Sequence, residues 1–75
     1  MTRRYLLQFL KSLARYRALL FHIELLENAA ERLRGDLRTQ MRTYVQRQMV
    51  IKDLTKTEII SLARSLRIPE RDLPL

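Results

Sequence analysis

Cysteine is absent from the chain, and one glycine and two prolines are the only strong helix breakers it contains. Without cysteine, neither disulfides nor thiolate metal sites are open to it. A single histidine, His22, leaves metal ligation without a second imidazole. Both prolines, Pro69 and Pro74, fall after residue 68, so little but Gly35 interrupts the chain before that point. Long apolar runs are missing too. The stretch from Tyr5 to Leu26 is broken by Gln8, Lys11, Arg15, Arg17, His22 and Glu24, too many polar groups for a bilayer core. No secretory pattern of basic start, apolar run and small residues is present. The opening Met1-Thr2-Arg3-Arg4 is basic and amphipathic, compatible with organelle import and equally with a cytosolic protein.

Acidic residues are scarce as well: 8 against 15 lysines and arginines, a net charge of +7. Twelve of those cations are arginine, which suits bidentate contact with carboxylate or phosphate better than lysine does. Such a balance favours an anionic partner, whether nucleic acid, an acidic lipid surface or an acidic protein. The 75 residues make one domain at most. A chain of this size buries only ~60% of its unfolded surface, so a helical core, self-association or docking must stabilise it.

What is present reads as helix. Phe9, Tyr16, Ile23 and Ala30 recur every seven residues, with Leu19, Leu26 and Leu33 between them, a core stripe at helical spacing. A second stripe, Leu7, Leu10, Ala14, Ala18, Phe21 and Leu25, follows the same three-and-four steps. A helix apolar on two faces needs neighbours on both, from its own chain or from a partner. The expected fold is all-α, an antiparallel three-helix bundle with a long first helix, occupying residues 1–75. The first break falls either at Asn28-Ala29-Ala30-Glu31, which has the form of an N-terminal cap, or at Gly35-Asp36. The Asn28 region is preferred, with Gly35 tolerated inside helix two at about 1 kcal/mol. Helices are then expected over 4–26, 29–51 and 56–67, with a short loose tail over 68–75. Leu33, Leu37, Met41, Tyr44 and Gln48 share a face of the second, widened by Val45 and Met49. Thr55-Lys56-Thr57-Glu58 reads as a capping box, with Leu54 and Ile59 placed for a hydrophobic staple, and opens the third.

Charged rows are the candidate functional features. Arg34, Arg38 and Arg42 fall at successive i, i+4 positions, where like charges repel unless something negative lies along them. Arg4, Gln8, Lys11 and Arg15 make a similar row on helix one, and Arg64, Arg67 and Arg71 add to it near the end. Glu24, Glu27 and Glu31 form an acidic stripe better suited to pairing with Arg32 and Arg34, or to solvation, than to a hard cation. No activated nucleophile, His–carboxylate constellation or phosphate-cradling glycine loop is present, so no catalytic or metal-ligating residue is assigned. Tyr16 lies on the core stripe. Arg17, the next residue, is turned about 100° from it.

Arg15-Tyr16-Arg17, followed by Ala18-Leu19-Leu20, and the later Arg38-Thr39-Gln40-Met41-Arg42 together resemble the LYR-motif family of small mitochondrial proteins. That signature has Leu-Tyr-Arg early in helix one and Arg-x-x-Phe-Arg in helix two. Here Arg15 stands for the Leu and Met41 for the Phe. The resemblance covers about residues 5 to 67. It implies a non-enzymatic adaptor in the mitochondrial matrix, an accessory subunit or assembly factor for a respiratory or iron–sulfur assembly complex. The implied partner is an acidic acyl carrier protein, whose acyl-phosphopantetheine enters the bundle; no cofactor is bound directly. Arg17, Arg38 and Arg42 would meet its acidic groups, Tyr16 and Met41 would shape the mouth, and Leu13, Leu20, Leu37 and Tyr44 would line the acyl channel. Two other readings remain: a small nucleic-acid-binding regulator, or a helical subunit filling a groove in another assembly. Residues 58–73 resemble the first half of a helix-turn-helix, but the chain leaves no length for a recognition helix.

Overall fold

The heptad stripe of the first helix has one matching stripe, not two. A computed structural model describes residues 2–75, and its fold is all-helical, without strands among those residues. Helix α1 spans Thr2–Glu31, helix α2 spans Asp36–Ser65, and a single 3-10 turn covers Glu70–Asp72. The two long helices form an antiparallel hairpin. The expected three-helix bundle is therefore replaced by two helices of 30 residues each, and the boundaries 4–26, 29–51 and 56–67 do not hold.

Along α1 the positions Phe9, Ser12, Tyr16, Leu19, Ile23, Leu26 and Ala30 are buried or half-buried, as is Leu33 just beyond it. They advance in alternating steps of three and four. Along α2 the matching series is Met41, Val45, Gln48, Lys52, Thr55, Ile59 and Leu62, continued by Leu66. Two stripes with that mean step pack as the seam of a two-stranded coiled coil. The middle of the α2 stripe is polar, which is why the chain reads as broken there. Thr55 does not cap a new helix. Its Oγ1 donates to the Ile51 carbonyl 2.7 Å away, the usual arrangement of a threonine inside a helix. Glu58, the other half of the supposed box, accepts instead from Gln8 Nε2 at 3.3 Å on α1.

The turn between the helices sits at Gly35, not at Asn28. Gly35 adopts φ 65°, the left-handed region, and precedes Asp36, an acidic residue in the first turn of α2, where the helix dipole favours negative charge. Leu33 N–H still bonds back to Ala30 at 3.1 Å, so α1 continues past Asn28 with its cap signature unused.

The far end closes differently. Arg67 takes φ 61° and donates to the Arg64 carbonyl at 3.1 Å, while Ile68 donates to Ala63 at 2.8 Å. That pair of bonds is a Schellman stop, built here on an arginine where glycine is usual. It turns the chain back so that Leu66, Ile68 and Leu73 pack against Phe9, Tyr16, Ile59, Leu62 and Ala63, with Leu13 beside them. The tail expected to be loose thus covers the open end of the hairpin. Even so, the molecule is a rod of 50 × 19 × 14 Å. Its radius of gyration, 15.4 Å, exceeds the ~11 Å expected for a compact chain of this length.

Arg67→Gly should raise stability by about 1 kcal/mol, since only the left-handed backbone penalises arginine there. Gly35→Ala should lower it by about 1 kcal/mol although nothing lies within 4 Å of the added methyl. Paired urea melts followed by circular dichroism would check both signs.

Candidate protein-binding interface

Two cross-helix contacts set the register: Gln8 stands across from Glu58, and His22 across from Tyr44. The His22 and Tyr44 rings meet edge to face, centroids 6.1 Å apart and planes at 87°. In that register Met41 stands across from Leu25, about nine residues or roughly 14 Å along α1 from Tyr16. The Tyr16–Arg17 pair and the Arg38–Met41–Arg42 segment therefore occupy separate stretches of the hairpin. Tyr16 is 5% exposed and belongs to the core at the open end; Arg17 beside it is exposed. Met41 is half-buried near the turn.

Arg34 leaves the row assigned to it, because it lies in the turn and not on a helix. Arg38 and Arg42 remain on one side of α2, and with Arg32 and Arg34 they collect four guanidinium groups at the turn end of the rod. The row of Arg64, Arg67 and Arg71 is likewise split among α2, the Schellman stop and the 3-10 turn. On α1 the row Arg4, Gln8, Lys11 and Arg15 stays intact and exposed.

Few of these cations are neutralised within the chain. Among the described residues the side-chain ion pairs are Lys52–Asp53 and Arg64–Glu70, each at 3.5 Å. Arg64 and Glu70 are mostly solvent-exposed, so their pair adds little stability. The pairing expected of Glu24, Glu27 and Glu31 with Arg32 and Arg34 does not form. Instead Glu27 and Glu31, with Ala30, face Arg42, Val45 and Met49 across a groove of about 410 Å³. Arg38 is half-buried, and its Nε is shut off from solvent without a hydrogen-bond acceptor. A guanidinium donor in that state disfavours the folded molecule.

The four candidate channel residues do not enclose a common space. Leu13 is half-buried beside the returning tail, whereas Leu20, Leu37 and Tyr44 are exposed. Helical periodicity puts Leu13 and Leu20 on one side of the hairpin and Leu37 and Tyr44 on the other. Leu37, 62% exposed, starts an apolar line that continues at heptad spacing through Tyr44 to Ile51. The heptad step from Leu37 through Tyr44 points to Ile51 in the sequence, where the expected second helix ends. The exposed Val50 and Leu54 carried no comparable periodic signal.

No family model matches the chain, and neither the curated proteins nor the solved structures include a match to it. The surface carries guanidinium groups without ion-pair partners and uncovered aliphatic and aromatic side chains.

Arg38→Leu should stabilise the free chain by about 1 kcal/mol, by removing the unpartnered donor while keeping the apolar stem. Thermal melts of the two proteins at equal concentration would show it as a rise in midpoint.

Proposed function

We propose that this protein is a non-enzymatic helical adaptor that docks an acidic protein within a larger assembly. The observation that carries the reading is the imbalance of the hairpin. Among the described residues, thirteen large apolar side chains are exposed against eight apolar residues buried. Two helices cannot cover one another on every side, and exposed apolar surface on this scale marks an interaction site. The exposed line Leu37, Tyr44 and Ile51 has Arg34 three residues before it in the turn and the exposed Arg47 about 60° around α2 from Tyr44, whereas Arg42 lies about 140 to 160° away, on the groove side with Glu27 and Glu31. An acidic partner seated there would pair the guanidiniums and bury the line together. Charge-assisted hydrogen bonds would fix its orientation, and the apolar line would supply most of the affinity.

The LYR-like resemblance narrows the partner to an acyl carrier protein in the mitochondrial matrix, and the assembly to a respiratory or iron–sulfur one. With Tyr16–Arg17 and Arg38–Met41–Arg42 roughly 14 Å apart along the rod, one folded partner would touch both segments at separate points. The missing third layer of the bundle would come from that partner or from the assembly. An acyl chain would then lie along the side of the hairpin that carries Leu37 and Tyr44, covered by the partner.

Co-expression with an acyl carrier protein, followed by purification and intact mass, tests both levels. Co-purification with an acylated phosphopantetheine is the outcome expected from the narrower reading. Capture of a different acidic protein would retain the adaptor and discard the acyl carrier. A chain that stays alone, or that binds DNA with affinity falling steeply as salt rises, would refute the adaptor reading. Arg47→Glu combined with Tyr44→Ser should weaken capture on the order of a hundredfold, as loss of a paired charge and an aromatic anchor does.

A further inference from the structure

The second stripe of α1 is left without any neighbour. Leu7, Leu10, Phe21 and Leu25 are 56, 51, 64 and 51% exposed, and Ala14 and Ala18 between them are exposed as well. The returning tail packs, through Ile68 and Leu73, against the core cluster on the seam side. From Leu7 to Leu25 the stripe advances by 3.6 residues per step on average, so it runs straight along the outer face of α1 for about 27 Å.

Its borders are cationic as far as Ile23, and Glu24 lies about 80° from it on the edge that carries Arg17. Lys11, Arg4 and Arg15 lie about 60 to 100° around the helix from the stripe on one edge, and Arg17 about 60° away on the other. Arg3 stands in line with it. From Met1 to Ile23 the chain holds five lysines and arginines and no aspartate or glutamate. Two shallow depressions adjoin this border, one formed by Arg3, Arg4, Leu7 and Lys11, the other by Arg15, Ala18, Phe21 and Leu25.

We infer that the outer face of α1 is a contact surface for an anionic lipid layer, with the helix lying in the plane of the interface. A straight apolar stripe edged by long cationic side chains is what such a surface accepts. The apolar groups enter the acyl boundary while the guanidinium and ammonium heads reach the phosphates. The other occupants fit less well. A second copy would set five cations against five. Nucleic acid would meet the cations and leave the leucines and Phe21 in water. No helix of the chain is long and apolar enough to cross a membrane, so the contact is peripheral. This face is separate from the arginine-rich turn end, and the inference stands or falls independently of the adaptor reading.

The chain has no tryptophan, so one introduced indole reports a single position. Full-length wild type, Phe21→Trp and Leu54→Trp would be mixed with vesicles of pure phosphatidylcholine and of equal parts phosphatidylcholine and phosphatidylglycerol. Wild type should float with the anionic vesicles on the order of tenfold more than with the neutral ones, and less as salt is added. Phe21→Trp should shift its emission to the blue on anionic vesicles. Leu54→Trp, at an exposed position on the outer side of α2, should not. Lys11→Glu with Arg15→Glu should abolish flotation while helical circular dichroism is unchanged. Absence of wild-type flotation would overturn the inference, as would an equal shift at both reporters. So would a blue shift of Phe21→Trp that needs only higher protein concentration and no lipid, since that assigns the face to a second copy.

Discussion

Everything in this molecule depends on one seam, the heptad contact between Phe9–Leu33 of the first helix and Met41–Leu66 of the second. The two long helices pack along it, with Gln8–Glu58 and His22–Tyr44 at its flank. Its ends are apolar, closed by Ile23, Ala30 and Val45 toward the turn and by Phe9, Ile59 and Leu62 toward the open end. Its middle is polar on the α2 side, where Thr55 is buried and Gln48 and Lys52 are half-buried, and mixed on the α1 side, where Ser12 is buried between Phe9 and Tyr16. Polar groups in such a seam lower its stability.

A seam of this kind uses one stripe per helix and leaves the remaining sides to be explained by something else. That follows from size as much as from sequence. With so few residues, a two-helix rod keeps much of its apolar surface in contact with water, and its elongated shape worsens the ratio. The returning tail mitigates this at one end only, where Ile68 and Leu73 cap the Phe9–Ile59 cluster. The turn end has no such cover, and four arginines and four carboxylates share it.

The class of the fold was legible in the sequence, and so were both stripes of the first helix. Their heptad and 3.6-residue spacings are local properties that packing did not alter. The third helix was misread because Gln48, Lys52 and Thr55 look like the end of an apolar face when no partner strand of the seam is in view. Asn28 misled for a related reason: Asn-x-x-Glu satisfies a cap locally, but Ala30 and Leu33 beyond it are wanted by the seam, and Gly35 alone accepts the backbone of a tight reversal. The candidate site was less legible. Residues 34, 38 and 42 make a row only if all three are helical, and Arg34 is not. Whether Tyr16 and Met41 converge depends on where the chain turns back, which composition does not encode.

Gly35 carries a further consequence. Two stripes that match each other within a chain match equally well between chains, and the four residues from Arg32 to Gly35 are all that folds them back. Straightened at that one point, the same sequence would exchange its helices with a neighbour and satisfy the identical contacts as a domain-swapped pair. The reversal at a single glycine therefore sets the valency of the molecule, deciding whether it offers its open sides once or twice.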